Sequence, residues 1–216
     1  PIQSDGTTGD IEAQAASDSG GWFSLLTYFN GEAPECMVVE VSNGQFGTTT
    51  GVGREQPTVT ENLLSLICDF ADKTGAPVTV SPLSNMAARR ALKLISEGIP
   101  VRAAIDTSIA TVSQQYGIAS VTQTYPVDVT DAAVVQAANT DRRNHGIVLA
   151  GLSTLATANS LPLMSLSVAL ARDAADGVLD DKAFGSEITI TGTTALMAGM
   201  PENAATAAMQ VAIDTF

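Results

Sequence analysis

The chain has 216 residues, with 23 Asp plus Glu against 10 Lys plus Arg and a formal charge of −13. A nucleic-acid partner is therefore not expected, because phosphate neutralisation needs clustered cations and only a local basic patch could supply them. At 45% hydrophobic residues and a mean hydropathy of +0.19 the chain can fill a core, which argues against disorder. No apolar run reaches the roughly 18 uncharged residues of a membrane span and no basic, apolar leader opens the chain, so the expectation is a cytoplasmic protein with no membrane partner.

Residues 1 to 21 are rich in Ser, Asp, Gly, Thr and Gln and read as an N-terminal arm or a strand segment of the following fold, ahead of one β/α domain over 22 to 216. Trp22 to Phe29 is a compact apolar patch that suits a short buried helix stopped by Gly31. Cys36 to Val41 reads as a buried strand. Thr58-x-x-Glu61 is a capping-box pattern that opens a helix continuing through Leu63, Leu66, Ile67 and Phe70 to Gly75. Pro77 to Ser81 is strand-like, and Asn85 to Glu97 is a helix with Ala87, Ala91, Leu94 and Ile95 on one face, ended by Gly98. Val101 to Ile105 reads as a strand, Ser108 to Tyr116 as a short helix, and Ile118 to Thr124 as another strand. Thr130 and Asp131 cap a helix towards Arg143 that Gly146 ends. Ile147 to Ala150 is again a strand, residues 162 to 176 are helical, Glu187 to Thr191 is a strand and Glu202 to Asp214 a closing helix; segments 152 to 161 and 177 to 186 carry no clear pattern.

Strands that alternate with helices and run continuously apolar predict a parallel sheet covered by helices. The fold class is α/β, and neither a G-x-G-x-x-G nor a G-x-x-x-x-G-K-[ST] loop favours the open, doubly wound form, so a parallel β/α barrel is the first expectation and the open sheet the alternative. The strands at 36–41, 77–81, 101–105, 118–124, 147–150 and 187–191 are then expected to be mutually parallel. Without such a loop or a Cys/His cluster, no cofactor and no metal are expected. Cys36 and Cys68 form neither a disulfide framework nor a zinc site, and a reducing compartment is the default.

The order of these units resembles the small transaldolases and fructose-6-phosphate aldolases, which are β/α barrels. The resemblance rests on Gly6-Thr7-Thr8, on Met37 to Val41, on Val78 to Pro82, on IVLAG at Ile147 to Gly151, and above all on Ala87 to Ser108. It implies an aldolase-type lyase or transferase on a sugar phosphate, with Glu40 as general acid/base and Thr7, Thr8 and Ser108 at the substrate. The family's Schiff-base lysine precedes a Pro on the fourth strand, and here that stretch is Thr79-Val80-Ser81-Pro82. Schiff-base chemistry requires a desolvated amine, and Lys73, Lys93 and Lys182 all read as solvated. The resemblance therefore implies a barrel that has lost its aldol chemistry and serves binding or assembly; a rearranged aldolase and a structural virion or filament subunit are the alternatives. Because the family's first strand would precede residue 1, the barrel reads as incomplete, with residues 1 to 21 either folding back within the subunit or, as the favoured reading, crossing to a neighbour in a homo-oligomer or larger assembly.

Other candidates have bland readings. Glu40 also suits a solvent-facing strand end. His145 reads as a C-terminal helix cap, Ser84 as an N-cap, and Asp180 and Asp181 as a loop with a divalent cation as the alternative. Arg89/Arg90 and Arg142/Arg143 read as solvated helix faces, with anion binding as the alternative. The Gly47 to Gly53 loop offers backbone N–H groups to an anion, beside Arg54 alone.

Overall fold

The computed structural model describes residues 1–27, 29, 33–42, 46–47, 54–55, 62–69, 77–158, 161–177, 179, 182–183 and 185–188. Strand β1 (Cys36–Val41) is followed by two short pieces, β2 (Phe46–Gly47) and β3 (Arg54–Glu55), and by β4 (Leu63–Cys68). Helices α1 (Pro82–Ser96), α2 (Val101–Gln115), α3 (Ala132–Ala137), α4 (Thr140–Ala158) and α5 (Leu163–Asp173) come next, then a single 3₁₀ turn and the short pair β5 (Lys182–Ala183) and β6 (Ser186–Glu187). Every strand pairing among the described residues is antiparallel: β1 with β4, β2 with β3, and β5 with β6. The parallel β/α barrel, the open parallel sheet and the incomplete-barrel argument are all overturned by this arrangement.

The reason lies in short apolar runs, which strands and core helices share. VRAAI at 101–105 belongs to α2, whose buried positions Ala104, Ile105, Ser108 and Val112 continue at helical spacing. Its polar side is marked by Arg102 and Asp106, one turn apart, with Nε donating to Oδ2 at 3.0 Å. IVLA at 147–150 lies inside α4, where Val148, Leu152, Leu155 and Ala156 are buried. Conversely LLSLIC, expected in a helix, is β4, a continuous run because it is covered on both faces. The capping box at 58–61 lies outside the described residues. So do the glycine stops at 31 and 75, the Gly47–Gly53 loop apart from the backbone of Gly47, Thr189 to Thr191, and the closing helix at 202–214. Residues 118–124 form turns, 77–81 is extended without sheet partners, and 22–27 has no regular structure.

Helix α1 is placed as its sequence dictates, but one turn earlier than Ser84 suggests. Ser81 is the N-cap: its hydroxyl accepts from Ser84 N, Ser84 Oγ accepts from Ser81 N, and Pro82 fills the first helical position. Leu83, Met86, Ala87, Ala91 and Ile95 are buried, and the helix stops at Gly98 as expected. Ser84 and Asn85 also serve β4. Ser84 Oγ donates to Leu64 O at 2.9 Å and Leu64 N donates to Asn85 Oδ1 at 3.2 Å, so the helix start satisfies an outward-facing peptide of the strand. The face of β4 bearing Leu64 and Leu66 packs with Cys36, Ala88, Ala91 and Ile105, while Leu63 packs with Met164 and Val168 of α5.

A two-stranded sheet is marginal alone, and β1–β4 carries a covalent brace. Cys36 and Cys68 face each other in the register and form a disulfide, so the cysteines are paired rather than free. Beyond the bridge, Asp69 N donates to Glu35 O at 2.9 Å and Asp69 takes a left-handed φ of +55°, a conformation Asp tolerates better than most residues. Its carboxylate receives both terminal nitrogens of Arg102 at 2.6 and 2.7 Å, which ties the hairpin end to α2. Residues 1–9 fold back on this edge, with Ile2 N donating to Cys36 O at 3.2 Å.

Candidate functional site

The residues expected at an aldolase site lie on separate elements, Glu40 on β1, Thr7 and Thr8 in the N-terminal turn and Ser108 in α2. Glu40 is an exposed residue of β1 whose Oε1 accepts from the Asn62 amide. Thr7 donates through N and Oγ1 to Asp5 Oδ1 at 2.9 and 2.7 Å, a local turn on the surface that holds the Asp5 carboxyl below its ordinary value. Thr8 bridges to Ile2. Ser108 is buried in α2, and its Oγ has no hydrogen-bond partner. No hydrogen bond joins Glu40, Thr7, Thr8 and Ser108 among the described residues. Lys93 pairs with Glu97 at 3.0 Å on α1, Lys182 lies in β5, and Lys73, Asp180 and Asp181 lie outside the described residues. Among the described residues no group of three His, Cys, Asp or Glu side chains is placed to hold a metal.

What the fold does bring together is a hydroxyl and an imidazole. His145 is not a helix end but a fully buried residue in the first half of α4. Its Nδ1 lies 2.7 Å from Thr124 O and its Nε2 lies 3.2 Å from Ser81 Oγ. A carbonyl only accepts, so the proton sits on Nδ1, Nε2 accepts, and the Ser81 hydroxyl donates to it. Serine nucleophiles are activated by this same hydroxyl–imidazole pairing. Here both side chains are sealed in the core, and desolvation pushes the imidazole down to about 4, opposed in part by the Thr124 carbonyl. Such an imidazole is a poor base near neutral pH. The triplet is a polar joint that locks the start of α1, the 118–127 loop and α4 to one another.

Gly146 completes that joint. A Cβ there would lie 2.5 Å from Val127 O, so the glycine lets the loop reach the helix rather than ending it. Val127 N donates to Arg142 O at 3.3 Å and Thr79 N to Thr122 O at 2.8 Å, which fixes the loop on its other sides.

The second cluster is on the surface. Asp18 to Trp22 forms a closed turn: Asp18 Oδ1 accepts from Gly20 N at 2.8 Å and Trp22 N at 3.0 Å, and Asp18 N donates to Trp22 O at 2.9 Å. Gly21 supplies the required φ of +79°. The turn sets the Trp22 ring edge-on to Tyr125, with centroids 5.5 Å apart, and Arg142 Cζ sits 3.9 Å from the Tyr125 ring centre. Arg142 Nε is buried without a hydrogen-bond partner. The most exposed large apolar side chains among the described residues are Ile11 at 75%, Leu26 at 72% and Trp22 at 60%, all on the irregular N-terminal stretch; Ile99 and Val134 follow at 41% and 39%. The D-S-G-G-W run that builds the turn is legible as an Asp-capped turn, but a composition-based reading of residues 1 to 21 passes over it. Against protein-family models, curated proteins and solved structures alike, the chain has no match.

Proposed function

We propose that this chain is a binding and assembly module that self-associates through its N-terminal stretch, in preference to an enzyme of aldolase type. The carrying observation is the concentration of exposed Ile11, Trp22 and Leu26 on one irregular segment, with Trp22 held on a built turn. Exposed aromatic and aliphatic side chains beside an arginine are the composition of protein contact surfaces. The aldolase reading loses its support with the barrel, and with it the sugar phosphate as partner. The reading of residues 1 to 21 as an arm is narrowed: residues 1–9 pack on β1 and α1, and residues 10–27 supply the surface. No single described helix is long and apolar enough to cross a membrane.

The disulfide bears on the compartment. Cross-strand disulfides persist where the environment is oxidising, so Cys36–Cys68 favours an exported or otherwise oxidising setting over the cytoplasm. Light scattering on the full chain across a hundredfold concentration range tests the assembly reading. Mass should rise with concentration, and Trp22→Ala with Leu26→Ser should hold the chain at monomer mass; a wild type that stays monomeric throughout ends the proposal.

A further inference from the structure

We infer that the acidic, apolar segment Asp10-Ile11-Glu12 of one copy docks on the Trp22–Tyr125–Arg142 cluster of another. The inference rests on the assembly reading and names the two surfaces that meet. Arg142 is the anchor: its guanidinium stacks on the Tyr125 ring and no carboxylate pairs with it among the described residues. In a chain of net charge −13, a cation held without a carboxylate beside an exposed tryptophan is a local reversal of sign. The complementary feature is an exposed apolar residue flanked by free carboxylates. Asp10-Ile11-Glu12 supplies it: all three are exposed, none makes a hydrogen bond or ion pair among the described residues, and Ile11 is the most exposed large apolar residue described.

Docking covers Ile11 against the open indole and brings a carboxylate to the Arg142 fork, so one contact satisfies an apolar and an ionic requirement at once. The two surfaces are different patches of one chain, so the contact is heterologous. It closes into a ring or propagates as a filament according to the rotation it imposes.

Charge reversal tests the pairing. Arg142→Glu, and separately Asp10→Arg with Glu12→Arg, should each weaken self-association by roughly tenfold or more, as loss of a close interfacial charge pair does. The second variant moves the net charge towards zero, so non-specific electrostatics would strengthen association there; a weakening marks the specific contact. Combining both sets should restore association. Each variant is checked for native far-UV circular dichroism, and Arg142→Gln provides a milder change should Arg142→Glu fail to fold. A wild type that associates while every single reversal leaves it unchanged, or a combination that fails to restore binding, overturns this pairing and leaves the assembly reading standing. A wild type that never associates overturns both.

Discussion

Acidification through the His145 joint offers a calibrated test of the buried network. In the folded chain the imidazole titrates at about 4, against an ordinary 6.5. At about 1.36 kcal/mol per unit, that gap corresponds to roughly 3 kcal/mol of stability. The sign follows from which state binds protons. Between 6.5 and 4 the unfolded chain takes up a proton that the folded chain refuses, so stability is complete above 6.5, falls as pH drops through this window, and levels off for this group below 4. Protonation of Nε2 removes the acceptor for Ser81 and places a charge in the core, which is the physical content of the loss. The window lies above that of Asp5 and Asp128, which are held below their ordinary value of 3.8 by Thr7 and Thr130, so their contribution is lost only at lower pH. Urea denaturation followed by far-UV circular dichroism at pH 7, 5.5 and 4.5 reads the loss. His145→Gln should cost about 1–3 kcal/mol at pH 7 for the broken hydrogen bonds and then show a flat dependence from 7 to 4.5. Equal pH slopes for wild type and variant would defeat the assignment of that window to His145.

Two further changes follow from the same geometry. Gly146→Ala pits helix propensity, worth up to about 1 kcal/mol in favour of Ala, against a Cβ 2.5 Å from a backbone oxygen. The clash should win, with a net loss of about 1–2 kcal/mol in denaturant titration; a stabilised variant would show that the loop does not seat on α4 as described. Opening the Cys36–Cys68 bond, which spans a sequence separation of 32, should lower stability by about 3–4 kcal/mol through regained chain entropy; thiol titration of the unreduced, denatured chain should find no free thiol, and two thiols would refute the pairing.

Legibility in the sequence followed the length of the pattern. α1 and α5 were readable because their apolar positions recur over several turns with a serine or proline at the start, and β1 because CMVVEV is short and bounded. Four- and five-residue apolar runs misled: VRAAI and IVLA are core faces of long helices, and the stop expected at Gly146 is a packing glycine. Pairing direction was not readable at all, because β1 and β4 are joined across a segment too long for a hairpin turn signal, and their register is marked only by two cysteines. The barrel drawn from a family likeness failed where it was densest, since Ala87–Ser108 is two helices meeting at Gly98. Of the site, Glu40, Thr7, Thr8 and Ser108 came from that likeness and lie on separate elements. His145 and Ser81 are 64 residues apart and meet only through tertiary packing.

Trp22 is the chain's single tryptophan, and it is 60% exposed on the surface assigned to self-contact. Its emission at increasing protein concentration, recorded with the mass by light scattering on the same samples, therefore reports directly on whether that surface becomes covered. Assembly through the N-terminal stretch predicts a blue shift that tracks the rise in mass, abolished together with it by Leu26→Ser and Ile11→Ser. Growth in mass with a solvent-exposed Trp22 spectrum throughout would place the contact elsewhere, and a constant mass with a constant spectrum would contradict the assembly account altogether.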